Sequence, residues 1–247
     1  MRKLVTFLLC LCSLLSSCKK EDKSIKYDGP TTVNIVLQEI HKLNASSTEQ
    51  ITYSSDNRLI VDIDQNGRIL GKNIGETYIT LSNSEDELRL HVVVSLFEEP
   101  TLDFGVSTSK IRALYGNPKH NYGDSIYVYG SGNDWYSWAV WEMDFFFRND
   151  KYYESNLYIR SDVDLRVEQY LNENYFFTQE INDTIDNKIK TLYIYLNAEK
   201  PENATVIVAK QYDAGPENDI LLVYAPFSSK NRNSDYTDII KRNLRRN

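Results

Sequence analysis

The sequence predicts a multidomain chain in which an all-β sandwich precedes an α+β domain, an antiparallel sheet with two helices. Between residues 31 and 94, apolar and polar residues alternate in short runs, the pattern of half-buried strands. The alternation stops near Pro100, and two helix patterns and further alternating runs follow it. We therefore expect one domain at 31–97 and a second at 98–229, followed by a polar tail at 230–247.

The first residues have the composition of a secretory signal peptide. Arg2 and Lys3 precede an almost unbroken apolar run from Leu4 to Leu15. A run of that length is shorter than the roughly 20 residues that a membrane-spanning helix needs. A positive start, a short apolar segment and small residues before a cleavage point are typical of a signal peptide. We assign this role to residues 1–17 and expect a polar tether at 18–30.

The end of this segment resembles the lipobox of bacterial lipoproteins, since Leu15 is followed by Ser16, Ser17 and Cys18. The resemblance implies cleavage before Cys18 and lipidation of that residue, so that a lipid anchor holds the protein on the membrane. The following Lys19-Lys20-Glu21-Asp22 is similar to the surface-export signal of Bacteroidetes lipoproteins. It implies an outer-membrane protein exposed at the cell surface. An ordinary solvated linker is the alternative for these four residues.

Composition excludes several classes of site. The three cysteines are Cys10, Cys12 and Cys18, so removal of residues 1–17 and lipidation of Cys18 leave no pair for a disulfide. Removing Arg2 and Lys3 changes the formal charge from −7 to −9 (−7 − 2), which argues against nucleic-acid binding. The histidines at 41, 91 and 120 have no metal-ligand spacing. We expect neither a metal nor a cofactor.

A hairpin is expected inside the first domain. Asn66-Gly67 separates two alternating runs, and this dipeptide is a strong signal for a two-residue turn with positive φ at both residues. The spacing from Asp62 to Gly67 also matches the first half of a calcium-binding EF-hand loop. However, the twelfth position of that loop is Asn73 and not the required Glu, and both flanks are strand-like. The hairpin is the better interpretation.

The same region resembles the group 2 bacterial immunoglobulin-like (Ig-like) domain. The matching segments are Tyr53-Ser54-Ser55-Asp56-Asn57, Val61-Asp62-Ile63, Asn66-Gly67-Arg68-Ile69 and Gly75-Glu76-Thr77-Tyr78-Ile79. Tyr53 replaces the Trp that is usual in this family. The resemblance implies an Ig-like sandwich that serves as a spacer or adhesion module and has no catalytic residues.

The second domain shows a weak internal duplication, in which one pattern of secondary-structure elements recurs after about 60 residues. A short helix is expected between Ser107 and Pro118 and a second one at Asp164–Asn174. Each precedes three predicted strands, at Ser125–Tyr129, Ser137–Phe147 and Tyr152–Arg160, and at Thr191–Leu196, Thr205–Gln211 and Ile220–Ala225. The pattern resembles the β-lactamase-inhibitor fold, and the stretch from Phe104 to Pro118 is similar to a motif of barrel-assembly accessory lipoproteins.

The candidate binding residues lie in, or just after, the segment from Asp134 to Trp141, which contains every Trp of the chain. If a strand alternates from residue 136, then Tyr136, Trp138, Glu142 and Asp144 share one face, whereas Trp141 and Met143 lie on the other. An aromatic ring beside carboxylates is suited to binding sugars. Coverage of both faces by other parts of the chain is the alternative.

No nucleophile motif is present, and we predict no catalytic residues. The sequence therefore favours a non-enzymatic surface lipoprotein that presents a glycan- or protein-binding module on an Ig-like stalk. Glu142 and Asp144 have a spacing, about 7 Å on one face of a strand, that would also suit a glycosidase. An envelope enzyme or enzyme inhibitor, or a purely structural envelope component, are the alternatives.

Overall fold

The computed structural model describes residues 22–130, 134–185, 188–214 and 219–228, with the side chains of 183–189, 213 and 214 left out. The predicted signal peptide, Cys18 and the predicted tail at 230–247 lie outside these ranges. The described residues form seventeen strands, two α-helices and two short 3-10 helices. Strand pairing separates them into two groups, one before and one after residue 100.

The first group is a β-sandwich, as the alternation predicted. A four-stranded sheet has the order β2-β9-β8-β5, a three-stranded sheet has the order β3-β7-β6, and β1 pairs with β4. The strands are β1 (Lys26–Tyr27), β2 (Thr32–Val36), β3 (Ile40–Lys42), β4 (Ala45–Ser46), β5 (Thr52–Ser55), β6 (Val61–Ile63), β7 (Arg68–Gly71), β8 (Gly75–Ser82) and β9 (Glu87–Ser95).

The sandwich core comes from alternate positions of these strands. Ile79 and Leu81 of β8 and Leu90 and Val92 of β9 have no exposed surface, whereas their neighbours in sequence point outward. Tyr53, at the position where the Ig-like family has Trp, is also buried. A large aromatic side chain therefore fills this part of the core, as the resemblance implied.

The predicted hairpin is confirmed, but its turn is of another type. β6 and β7 pair antiparallel around it. Of Asn66 and Gly67, only Gly67 has a positive φ, of 72°, so the turn is not the expected two-residue one. Instead, the N–H of Gly67 donates to the carbonyl of Asp64, and the N–H of Asp64 donates to the carbonyl of Arg68. The Asp64 carboxylate accepts the backbone N–H groups of Asn66 and Arg68, which stabilises a three-residue loop closed by glycine.

The described part of the expected tether, from residue 22, lies against the sandwich. β1 pairs with β4, and the Ile25 N–H donates to the carboxylate of Asp86 at 2.7 Å. The Ser47 hydroxyl donates to the Lys23 carbonyl at 2.8 Å. These contacts hold residues 23–27 against the sandwich, so this part of the expected tether is not extended away from it.

The second group is one eight-stranded antiparallel sheet with the order β10-β11-β12-β13-β17-β16-β15-β14. Its elements are α1 (Thr108–Tyr115), β10 (His120–Tyr122), β11 (Ile126–Tyr129), β12 (Val140–Arg148), β13 (Lys151–Ile159), α2 (Asp164–Asn174), β14 (Phe176–Ile185), β15 (Lys188–Leu196), β16 (Val206–Ala214) and β17 (Asp219–Pro226). The 3-10 helices are Ser161–Val163 and Pro201–Asn203.

The expected duplication is present, with four strands in each half where we predicted three. Each half is a helix followed by four strands paired in sequence order, and the halves join where β13 pairs with β17. The unpredicted strands are β10 and β14, which lie at the two edges of the sheet. All three side chains of β10 are exposed, so it lacks the buried face from which we predicted strands.

The two helices cover one face of this sheet. The Ser107 side chain accepts the Lys110 N–H and begins α1, which buries Ile111. α2 has the bounds that we predicted and buries Val167 and Leu171. The strand residues beneath the helices belong to the same buried cluster and include Tyr127, Met143, Phe145, Leu157, Val208, Leu222 and Tyr224.

The two groups contact each other around residues 97–99. The rings of Phe97 and Tyr170 meet edge to face at 4.7 Å, and one buried cluster continues through both groups. The Glu99 carboxylate accepts the hydroxyls of Tyr170, at 2.6 Å, and of Tyr175. The domain boundary at 97–98 stays a prediction. Among the described residues, no helix is both long and apolar enough to cross a membrane.

Candidate functional site

The exposed tryptophans lie in the loop that precedes β12. The N–H of Ser137 donates to the carbonyl of Val140 at 2.8 Å, and the Ser137 hydroxyl accepts the Val140 N–H at 3.2 Å. These bonds form a tight turn whose tip carries Trp138. Trp138 is 36% exposed and Trp135 is 44% exposed, large values for side chains that usually lie inside a protein.

Arg160 holds the two indole rings in place. Its guanidinium lies 4.6 Å from the ring centre of Trp138 and 5.6 Å from that of Trp135, within the range of cation–π attraction. Asp162 accepts two hydrogen bonds from the guanidinium, at 2.5 and 2.6 Å, which fixes its plane. The backbone N–H of Arg160 also donates to the carbonyl of Ala139 at 3.1 Å. We call Trp135, Trp138 and Arg160 the tryptophan platform.

Tyr136 is not on the surface with Trp138, although the sequence pattern placed the two together. It is half-buried and packs against the main core cluster, and its hydroxyl donates to the Glu98 carboxylate at 2.6 Å. Burial, together with this bond, raises the pKa of Tyr136. The expected alternation from residue 136 was wrong because the strand begins only at Val140.

Glu142 and Asp144 lie on the sheet face opposite the helices. They are opposite Tyr158 and Asn156 of β13, and Met143 between them points into the helix-side core. Glu142 is half-buried, and this burial raises the pKa of its carboxyl; Asp144 is 7% exposed. The predicted four residues are therefore divided between a surface loop, the core and the second face of the sheet.

A β-bulge changes the expected position of Trp141. The pairing of β12 with β13 is irregular between Val140 and Glu142, and the Trp141 ring lies 5.0 Å from the ring of Tyr158. Trp141 therefore lies on the side of Tyr158 and not beside Met143, as strict alternation had predicted.

Sequence reasoning missed two members of the platform. Trp135 belongs to the same aromatic run, so its exposure could have been considered together with that of Trp138. Arg160 had no such signal because it is 22 residues from Trp138 (160 − 138). Only the pairing of Val140 with Ile159 brings Arg160 beside the loop.

The described residues contain no cluster of three or more metal-ligating side chains. The carboxylates of the rejected calcium loop are engaged locally, since Asp62 is paired with Arg58 at 2.7 Å and Asp64 accepts backbone N–H groups. The same residues line a shallow, open groove on the sandwich, together with Ile40, Arg68 and Leu70. In this groove Arg58 and Asp62 pair with each other and Asp64 is bonded to the backbone, whereas the tryptophan platform presents ring surface to solvent.

Comparison with known proteins does not assign this chain to a family. No protein-family model matches the chain, and no curated protein matches it. Two solved structures are similar in part. A chain of the intimin–Tir90 complex is 14% identical to this one, with a TM-score of 0.25. The match covers 40% of this chain and 62% of that chain. Domains 5–6 of the S-layer protein SbsC have 12% identity and a TM-score of 0.28, covering 85% of this chain and 86% of that one. Both TM-scores are too low to establish a common fold.

Proposed function

We propose that this protein is a non-enzymatic, lipid-anchored surface protein that binds glycans through the tryptophan platform. The observation that carries the proposal is the pair of exposed indoles, Trp135 and Trp138, held by Arg160. The apolar faces of sugar rings stack on aromatic rings, while charged groups beside them bind the hydroxyls. The guanidinium of Arg160 and the carboxylate of Asp162 provide donors and acceptors next to the rings.

The anchoring part of the proposal depends on the lipobox at residues 15–18, followed by the charged residues 19–22. In this proposal the Ig-like sandwich is the stalk that holds the platform away from the outer membrane. Replacing Cys18 by Ala should abolish lipid labelling and leave an unprocessed or soluble protein. Membrane retention of this variant with normal cleavage would contradict the anchor.

Glycan binding is tested by tryptophan fluorescence and a glycan array on the purified full chain. A bound sugar should shift the emission of the exposed indoles. Trp138→Ala should reduce glycan affinity about 5- to 30-fold, since a stacking contact of roughly 1–2 kcal/mol is lost. Its free energy of unfolding should change by less than about 1 kcal/mol, because the ring is partly exposed.

The control variant is Phe177→Ala. Phe177 is 54% exposed and lies in β14, at one edge of the sheet, whereas the platform loop leads into β12. This variant should bind glycans like the unchanged protein. If the array finds no glycan and a partner protein competes for the platform instead, the ligand class is wrong. If Trp138→Ala unfolds the protein, the platform is structural.

A further inference from the structure

The loop that carries the two exposed tryptophans is held differently at its two ends. The end next to β12 is closed by the two bonds between Ser137 and Val140, at 2.8 and 3.2 Å. At the other end, the Tyr136 N–H donates to the Trp141 carbonyl over 3.4 Å. This bond is long, because N–H···O bonds usually measure about 2.7–3.2 Å. The loop backbone therefore fixes the residues next to β12 better than it fixes Trp135.

The side chain of Tyr136 holds this second end of the loop. It is half-buried and packs against the core, whereas Trp135 and Trp138 on either side of it are exposed. Its hydroxyl donates to the Glu98 carboxylate at 2.6 Å, the length of a charge-assisted hydrogen bond. In the part of the chain that the structure describes, Glu98 is the only hydrogen-bond partner of this hydroxyl. A displacement of the Tyr136 ring would move the peptide units that carry both indoles.

Glu98 itself is held in place without help from the loop. The residue before it, Phe97, is 2% exposed, and its ring meets that of Tyr170 edge to face at 4.7 Å. The residue after it, Glu99, accepts the hydroxyls of Tyr170 and Tyr175. The backbone on both sides of Glu98 is therefore attached to α2 and its C-terminal end. A site is held precisely when the residues that support it are themselves fixed by packing and hydrogen bonds.

We propose that Glu98 is a positioning residue of the tryptophan platform, which holds Trp135 and Trp138 beside Arg160 by binding Tyr136. Cation–π contacts at exposed sites are weak, so Arg160 needs this support to keep two large rings in one orientation. A residue that follows the sandwich thus controls the geometry of a surface on the sheet domain. The consequence for ligand binding rests on the proposed function, because a sugar that stacks on both rings requires them at a fixed spacing.

The test measures how accessible the indoles are, with acrylamide as an uncharged quencher of tryptophan fluorescence in the full chain. Trp135 and Trp138 are 44% and 36% exposed, so their release should raise the quenching constant by about 1.3- to twofold. Glu98→Ala should give this rise, and so should Tyr136→Phe, which removes only the hydroxyl. Combining the two should add nothing further, because both remove the same bond. Glu98→Gln keeps an acceptor oxygen and should restore the quenching constant of the unchanged protein.

Glu99→Ala is the matched control for a loss of stability. It removes the bonds to Tyr170 and Tyr175, which lie outside the loop, so the quenching constant of the folded protein should stay the same. Arg160→Ala is the positive control, since it removes the cation from both rings. An unchanged quenching constant in Glu98→Ala and Tyr136→Phe overturns the proposal. An equal rise in Glu99→Ala also overturns it, because the effect would then be a general loosening of the junction.

The glycan array separates this inference from the proposed function. For a glycan that the unchanged protein binds, Glu98→Ala should lower the affinity at least about threefold, and Glu98→Gln should not. An unchanged affinity in Glu98→Ala would contradict the positioning role, even though glycan binding itself is then confirmed. If no glycan binds and the quenching constants still differ as expected, the proposed ligand class is wrong and the positioning role of Glu98 is supported.

Discussion

Among the carboxylate residues between positions 96 and 103, replacement of Glu99 by Ala should destabilise the protein the most. The Glu99 carboxylate accepts hydrogen bonds from the hydroxyls of Tyr170 and Tyr175, which lie at the end of α2 and just after it. Burial, followed by the effect of Glu99, raises the pKa of both phenols, so they remain neutral donors. These three residues connect the segment after β9 to the group that contains the eight-stranded sheet.

The magnitude follows from the bonds that are lost. A hydrogen bond to a charged group contributes about 1.5–3 kcal/mol. The carboxylate is partly exposed and water can reach the freed hydroxyls, so we expect a loss of about 2–4 kcal/mol for the two bonds together. Glu99→Gln keeps one acceptor oxygen and should cost about 1 kcal/mol. Urea denaturation followed by tryptophan fluorescence measures each value.

Glu98→Ala is the matched control, because Glu98 is an adjacent, more exposed carboxylate with a single bond, to Tyr136. It should cost roughly half as much as Glu99→Ala. A double-mutant cycle between Glu99→Ala and Tyr170→Phe should give a coupling energy of at least about 1 kcal/mol. A coupling near zero would show that the Glu99–Tyr170 contact does not hold the junction together.

Three further predictions concern other parts of the fold. Burial raises the pKa of Tyr115 and Tyr129 to about 12. Because tyrosine in the unfolded chain ionises near pH 10, the stability they contribute is complete below that pH and should fall by at most about 1 kcal/mol per pH unit for each between pH 10 and 12, measured by urea denaturation. The buried ammonium of Lys210 lies 2.8 Å from the Asp164 carboxylate, so Asp164→Ala removes its ion-pair partner and should cost about 3 kcal/mol of stability. Lys210→Met leaves no unpaired buried cation and should cost clearly less; equal costs for the two variants would contradict this. Gly67→Val should cost at least about 1 kcal/mol in thermal melts because φ is 72°, and added calcium should not change the melting temperature.

Helices and central strands could be predicted because their signals are local. α2 has a stripe of buried residues, Val167 and Leu171, and its bounds agree with the prediction. The edge strands β10 and β14 were missed because backbone pairing with one neighbour defines them. Phe176 and Phe177 at the start of β14 are both exposed, so this strand begins without the alternation that marks a half-buried one.

The site was only partly predictable because it depends on pairing between distant segments. The exposure of Trp138 agrees with the prediction of a surface aromatic, while the binding role of the platform stays a prediction. A bulge that moves Trp141 and a register that brings Arg160 to the loop have no signature in the local sequence. The division of Tyr136 from Trp138 depends on where β12 begins.

The duplication itself provides an argument about the tryptophan platform. The loop between β11 and β12 occupies the same place in the first half as the loop between β15 and β16 does in the second. The second loop, residues 197–205, contains no aromatic residue and still joins its two strands, with Asn197 bonded to the backbone of Thr205 and Val206. The fold therefore does not require tryptophan at this place. Two tryptophans, both exposed and both contacted by Arg160, therefore occur in only one described loop of the pair, as the proposed binding role of the platform requires.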